Sequence, residues 1–129
     1  MTRFNLFLAG AAQVGVNPKV NNIYLPYQNA KHDILWILDS NVYVDPYCLL
    51  RSVKLLNEPN VGLVHHLPCG VEPKTFGSKL EMLFLNSSHA KLYMAINWFR
   101  LSSCIVGKSN LFRKSSIEKS GMFIGVDYC

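Results

Sequence analysis

Asp39 closes the run His32-Asp33-Ile34-Leu35-Trp36-Ile37-Leu38-Asp39-Ser40-Asn41, in which five consecutive large apolar residues stand between two aspartates. A run that short and that apolar reads as a strand covered on both faces, the pattern of a parallel sheet. Asp39 then lies at the strand's carboxyl end, the edge where open α/β sheets bind ligands, and a rigid strand places its carboxylate there for chemistry. A second pair of candidates is Lys19 and Asn22, just after Asn17-Pro18. Helix amides and an ammonium group both favour negative charge at a helix start, so this pair suits a diphosphate; a solvated first turn with its cap is the plainer reading. His65 and His66 are adjacent on a predicted strand and point to opposite faces, which argues against one metal site built from both.

The elements that must position these groups follow from the pattern. Phe4 to Ala9 is a plausible first strand, and Pro18 at a first helical position starts a helix running to about Lys31. After the strand that ends at Asp39, Asp45-Pro46 opens a second helix, with Asp45 accepting from its first amides and serving a structural role. Val61 to Pro68 reads as another buried strand carrying the two histidines. Thr75 to about Trp98 reads as one or two helices broken at Asn86-Ser87-Ser88, and its apolar and aromatic stripe is either core or a greasy face for a lipid or a membrane surface. Lys108 to Lys114 reads as strand and turn, and Ser115 to Ser120 as a short helix stopped by Gly121.

The chain has 129 residues, half of them hydrophobic and 16% charged, with a net charge of +5. That is one α/β or α+β domain's worth of sequence, and its excess positive charge favours an anionic partner such as a phosphate or lipid head group. The charge is too dispersed for a nucleic-acid stripe, so no nucleic acid is expected. The four cysteines form no C-x-x-C pair, which points to free thiols rather than a zinc site or a disulfide framework. No signal peptide and no apolar run of bilayer length is visible. Asn86-Ser87-Ser88 is formally a glycosylation sequon.

Taken together, Val14-Gly15-Val16-Asn17-Pro18-Lys19-Val20-Asn21-Asn22, Ala30-Lys31, Asp33 to Ser40, Val61 to His65 with Leu67-Pro68, and Gly107 to Lys114 resemble the ceramide glucosyltransferases. Behind these stand the inverting glycosyltransferases with a nucleotide-sugar-binding domain of the GT-A type. The resemblance runs in order to about Ile117 and is greatest to the fungal members. It implies an incomplete GT-A domain spanning residues 1–129, with a mostly parallel central sheet flanked by helices.

The implied reaction is inverting transfer of glucose from UDP-glucose to the primary hydroxyl of ceramide, giving glucosylceramide. Asp39 matches the aspartate of a degenerate D-x-D-like motif that helps hold a divalent cation, Mg or Mn, on the diphosphate. Ser40 stands beside it in the donor site, and Asn41 occupies the third motif position as a weaker, neutral ligand. Lys19 and Asn22 match a K-x-x-N element near the nucleotide. His65 matches a histidine near the active site, where it is either a substrate contact or a hydrogen-bonded core residue. Asp127 is a weak match for the aspartate that acts as general base on the acceptor, the alternative being an ordinary tail residue.

The family's upstream nucleotide-contacting aspartate and its downstream (Q/R)-x-x-R-W motif are not in the sequence. The same holds for the hydrophobic segments that anchor these enzymes to the Golgi or endoplasmic reticulum membrane with the catalytic domain facing the cytosol. The chain is therefore expected to be the middle of a catalytic domain, attached to the membrane surface through those flanking segments. An inactive nucleotide-sugar-binding or interaction module derived from such an enzyme is the alternative.

Overall fold

The computed structural model describes residues 4–8, 14–99 and 105–121. Its elements in chain order are α1 (Pro18–Gln28), β1 (Ile34–Leu38), α2 (Cys48–Leu56), β2 (Leu63–His65), α3 (Phe76–Phe84), a π-helical turn (Leu85–His89), α4 (Ala90–Trp98), β3 (Ser109–Arg113) and α5 (Lys114–Lys119). The chain divides into two units, Met1–Leu35 with Phe112–Cys129, and Trp36–Leu111.

The three strands form one sheet in the order β1-β3-β2. Asp39 N donates to Lys108 O and Lys114 N to Asp33 O, while His66 N donates to Ser109 O, so β3 runs antiparallel to both neighbours. This corrects the mostly parallel sheet expected from the sequence. The β1-α2-β2 segment does bring its two strands back in the same direction, as a helical crossover must. They do not pair with each other, because β3 is inserted between them in the opposite sense.

The burial pattern is displaced accordingly. β1 was expected to be covered on both faces, yet its residues are half-buried and Leu38 is 40% exposed. It is an edge strand, with β3 alone beside it among the described residues. The central position and the deepest burial belong to β3, where Ser109, Asn110, Leu111 and Phe112 are all buried. Residues 4–8 form no strand, and Phe4, Leu6 and Leu8 are exposed, so the expected first strand has no sheet partner.

In the first unit, Asn17 caps α1 by accepting from Lys19 N at 2.9 Å, and Pro18 follows where no amide is needed. The helix ends at Gln28, earlier than expected, because Pro26 contributes no amide and Asn29 closes the last turn by donating from Nδ2 to Leu25 O. Asp33 ties this unit's strand and helix together. Its Oδ1 accepts from Ser115 N at 2.8 Å and its Oδ2 meets Arg113 at 3.4 Å, and these contacts, led by the Ser115 amide, hold its carboxyl below the usual range. Tyr27 and Phe112 are the unit's buried side chains among the described residues.

In the second unit, α2 begins at Cys48 rather than at Pro46. Asp45 Oδ1 accepts from Tyr47 N at 2.6 Å and its carbonyl accepts from Cys48 N, so the aspartate builds a turn that feeds the helix one step later. Its structural role stands. Residues 76–98 are helical throughout, opened by a reciprocal Thr75–Ser78 capping box. The expected break at Asn86-Ser87-Ser88 is the π-helical turn instead. It presents Asn86 to the loop after β2: Asn86 Oδ1 accepts from Gly70 N at 2.8 Å, and Nδ2 donates to Gly70 O at 2.9 Å. The nitrogen that a glycan would take is thus engaged in the fold.

Leu111, 0% exposed, is the centre of the second unit's core with Leu56 and Val64. Leu111→Ala is expected to lower stability by about 3 kcal/mol, through lost burial and the cavity left behind, measurable as a shifted urea midpoint with an unchanged slope.

Candidate functional site

Two turns carry the residues singled out for chemistry. Directly after β1, Asp39 O accepts from Val42 N at 3.2 Å, closing a turn with Ser40 and Asn41 at its corners. Asp39 is half-buried, while Ser40 and Asn41 are exposed. The Asp39 amide is anchored on Lys108 O at 2.9 Å, which fixes where the turn leaves the sheet. Asp39, Ser40, Asn41 and His65 all belong to the second unit; Lys19 and Asn22 lie on α1 in the first, with Lys19 half-buried and Asn22 exposed. Lys19 and Asn22 are three apart and therefore share one helix face. The neighbouring Asn21 closes the loop before the helix, its Oδ1 accepting from Val14 N and Gly15 N. Asp127 lies outside the described residues.

The second unit contains a cavity of about 550 Å³ whose walls include Asn41, Asp45, Cys48, His66, Lys108 and Ser109. The turn after Asp39 therefore reaches the cavity through Asn41. Lys108 contributes a cation to the same wall, and Glu72 and Glu81 contribute carboxylates. As a cation site the donor chemistry is partial. Asp39 and Asn41 offer hard oxygens from one turn, as Mg or Mn prefers. Among the described residues no group of three or more His, Cys, Asp or Glu side chains is placed to hold a metal. Asp39 and Asn41 are too few to hold a cation by themselves.

The two histidines do point apart, and each is fixed by a different residue of β3. Asn110 Nδ2 donates to Val106 O at 3.0 Å, which leaves Oδ1 facing His65 Nδ1 at 3.0 Å. Nδ1 must therefore carry the proton. His65 Nε2 is buried without a hydrogen-bond partner, and its ring lies 6.0 Å from that of Tyr93, which in turn packs on His89 at 4.5 Å. His89 Nδ1 is likewise buried without a partner. His65 is thus a hydrogen-bonded, half-buried residue on one face and an unspent imidazole nitrogen on the other.

His66 sits in a complete chain of hydrogen bonds and lines the cavity. Trp36 Nε1 donates to Ser109 Oγ at 3.0 Å, and Ser109 Oγ lies 2.8 Å from His66 Nδ1. On the other side Ser52 Oγ donates to Cys48 O at 2.7 Å, so it must accept from His66 Nε2, also 2.7 Å away. His66 is therefore the Nε2–H tautomer, with Nδ1 accepting from Ser109. Cys48 Sγ stands 3.7 Å from the same Nε2. Burial pushes the His66 imidazole below the ordinary histidine range; the Ser109 carbonyl opposes this and neighbouring His65 reinforces it. Sequence reasoning singled out His65 and passed over His66, although strand alternation already assigned the two to opposite faces.

The sequence model of glycosyl transferase family 21 matches residues 2–127. A ceramide glucosyltransferase of Komagataella phaffii is 43% identical over 122 residues, covering 81% of this chain and 24% of that one. One of Pyricularia oryzae is 38% identical over 120 residues, covering 82% and 24%, and ceramide glucosyltransferase 1 of Caenorhabditis elegans is 30% identical over 122 residues, covering 89% and 26%. The chain spans about a quarter of the length of these relatives. No solved structure matches it.

The hydrogen-bond chains require opposite tautomers on adjacent histidines. Long-range proton–nitrogen NMR of the labelled chain at neutral pH is expected to find the proton of His65 on Nδ1 and that of His66 on Nε2. The same tautomer on both rings would contradict the network.

Proposed function

The chain belongs to glycosyl transferase family 21, and on that premise we propose that it forms part of an enzyme that transfers glucose from UDP-glucose to ceramide with inversion. The match to the family over residues 2–127, joined to relatives named ceramide glucosyltransferase, is the observation that carries this reading. The finer assignment is a GT-A type domain with UDP-glucose as donor and a divalent cation, Mg or Mn, on its diphosphate.

In this reading the turn at Asp39–Val42 is the donor end of the site. Asp39, with Asn41 as a weaker oxygen ligand, would hold the cation, and Ser40 borders the same turn. The cation, when bound, neutralises charge that develops on the departing diphosphate. Lys19 and Asn22, on α1 of the first unit, keep the nucleotide role that the resemblance implies for them, an ammonium and an amide side chain suiting phosphate oxygens. His65 is the substrate-side candidate of the resemblance, and its hydrogen bond to Asn110 together with its buried Nε2 favours the alternative role of a hydrogen-bonded core residue. Deprotonation of the acceptor hydroxyl falls to Asp127, a carboxylate that supplies a general base for a single displacement at the sugar carbon.

The lipid acceptor implies work at a membrane, with the Golgi or endoplasmic reticulum as the proposed location and the cytosol as the proposed side. Among the described residues no helix is long and apolar enough to cross a bilayer. Exposed large apolar side chains on α3 and α4, including Phe76, Leu83, Met94 and Trp98, are compatible with a lipid-facing surface.

Calorimetric titration of the chain with UDP-glucose, with and without Mg or Mn, tests the donor site. Binding is expected to require the cation and to be lost in Asp39→Ala, and the barrier to glucose transfer is expected to rise by roughly 3 to 4 kcal/mol in that variant. Absence of heat with the unmodified chain would exclude a working donor site. Lys19→Ala is expected to weaken the same titration about tenfold or more, as loss of a phosphate-facing cation does. A glucose-transfer assay to ceramide then separates donor binding alone from catalysis.

A further inference from the structure

The chain Trp36–Ser109–His66–Ser52–Cys48 joins four elements of the second unit through one imidazole. Trp36 is on β1, Ser109 on β3, Cys48 and Ser52 on α2, and His66 directly follows β2. Ser52 and Ser109 are each 3% exposed, so the links flanking the imidazole lie inside the fold. Every donor in it has an acceptor when His66 is neutral. Trp36 donates to Ser109, Ser109 to His66 Nδ1, His66 Nε2 to Ser52, and Ser52 to the Cys48 carbonyl. The ring also borders the cavity, together with Cys48 and Ser109, so the chain is the back of one cavity wall.

Protonation upsets this arrangement in a definite way. A second N–H, on Nδ1, would confront the Ser109 hydroxyl that now donates to it. Ser109 can accept from both Trp36 and His66 only by turning its own proton away, where it has no other partner among the described residues. An unsatisfied buried donor is costly, and so is a charge on a partly desolvated ring. The groups facing His66 are Cys48 and Ser52 on α2, Trp36 on β1, Ser109 on β3 and His65 beside it. The Ser109 carbonyl favours the charged form, and burial, the larger effect, opposes it. Asp45, Glu72, Glu81 and Lys108 also line the cavity, and none of them forms an ion pair with the ring among the described residues.

We infer that His66 is an acid-sensitive latch for the cavity wall: while neutral it clamps α2 and the three strands together, and protonation releases the clamp and lowers ligand occupancy of the cavity. The ligand arm of this inference rests on the donor reading given above, and the stability arm does not. The sign follows from linkage. With the folded-state pKa below that of the unfolded chain, the stabilisation is fully present above the ordinary histidine value of about 6.5 and is lost as pH falls through the folded value.

The test compares the full chain with His66→Gln, which keeps an amide donor toward Ser52 but cannot titrate. Urea unfolding between about pH 7.5 and about pH 5.5 is expected to show a loss of stability on acidification that is smaller in His66→Gln; the difference isolates His66 from the other histidines. UDP-glucose affinity with Mn present is expected to fall about threefold or more over that range in the unmodified chain and to stay nearly flat in the variant. Should His66→Gln fail to fold, Ser109→Ala serves instead. It removes the donor to Nδ1, and NMR is expected to find the His66 titration midpoint moved upward. Equal pH dependence of stability in the two chains, or a His66 midpoint at or above the ordinary value, overturns the latch. A latch seen in stability with no UDP-glucose binding at any pH would leave the latch standing and remove the donor reading. Binding with the same pH dependence in both chains would do the reverse.

Discussion

The second unit depends on a central strand that carries two polar side chains where an apolar pair would be expected. Ser109 and Asn110 are buried next to each other at the start of β3. A buried hydroxyl and a buried amide are tolerable only when satisfied. Adjacent residues on a strand face opposite ways, so each needs its own partner on its own side. Two adjacent histidines across the antiparallel β2–β3 pairing meet that requirement, His66 on one face and His65 on the other. The register between these strands is thereby set by chemistry as well as by apolar matching: a slip by one residue would present each polar group to the wrong face.

The same constraint explains how the cavity wall is built. With β3 committed to holding the histidines, Lys108 just before it turns toward the cavity, and its carbonyl anchors the amide of Asp39. The Asp39 turn and the His66 chain therefore hang on two consecutive residues, Lys108 and Ser109. The carboxylate that resemblance singled out and the imidazole that it did not are positioned by adjacent residues, Lys108 in the turn before β3 and Ser109 at the strand's start.

Much of the element order was legible from the residues. The Asn17-Pro18 start of α1, the strand before Asp39, the helix after Asp45, the strand entering the histidines, and the stop at Gly121, whose φ of 68° suits glycine, all rest on local chemistry and all appear. The sheet's centre was not legible. Five apolar residues made β1 look like the buried core strand, whereas Ser-Asn-Leu-Phe-Arg of β3 looks half-polar until its histidine partners are known. Those partners lie 43 and 45 residues away, and no local pattern reports a pairing at that distance. For the site, motif resemblance picked out Asp39 and His65. His66 needed the geometry, because its role comes from hydroxyl groups on two other elements.

The π-helical turn at Leu85–His89 has a further meaning. One residue more than an α-helix requires is accommodated there, and each residue of an α-helix advances the side-chain direction by about 100°. The helix after the turn is therefore out of phase with the helix before it. Asn86 can face Gly70 while Tyr93, seven residues on, faces His65. In an uninterrupted α-helix residues seven apart share nearly one direction, so the π-helical turn is what sets Tyr93 off from the face of Asn86. The turn thus works as a phase corrector, letting a single helical stretch answer to the loop after β2 and to β2 itself.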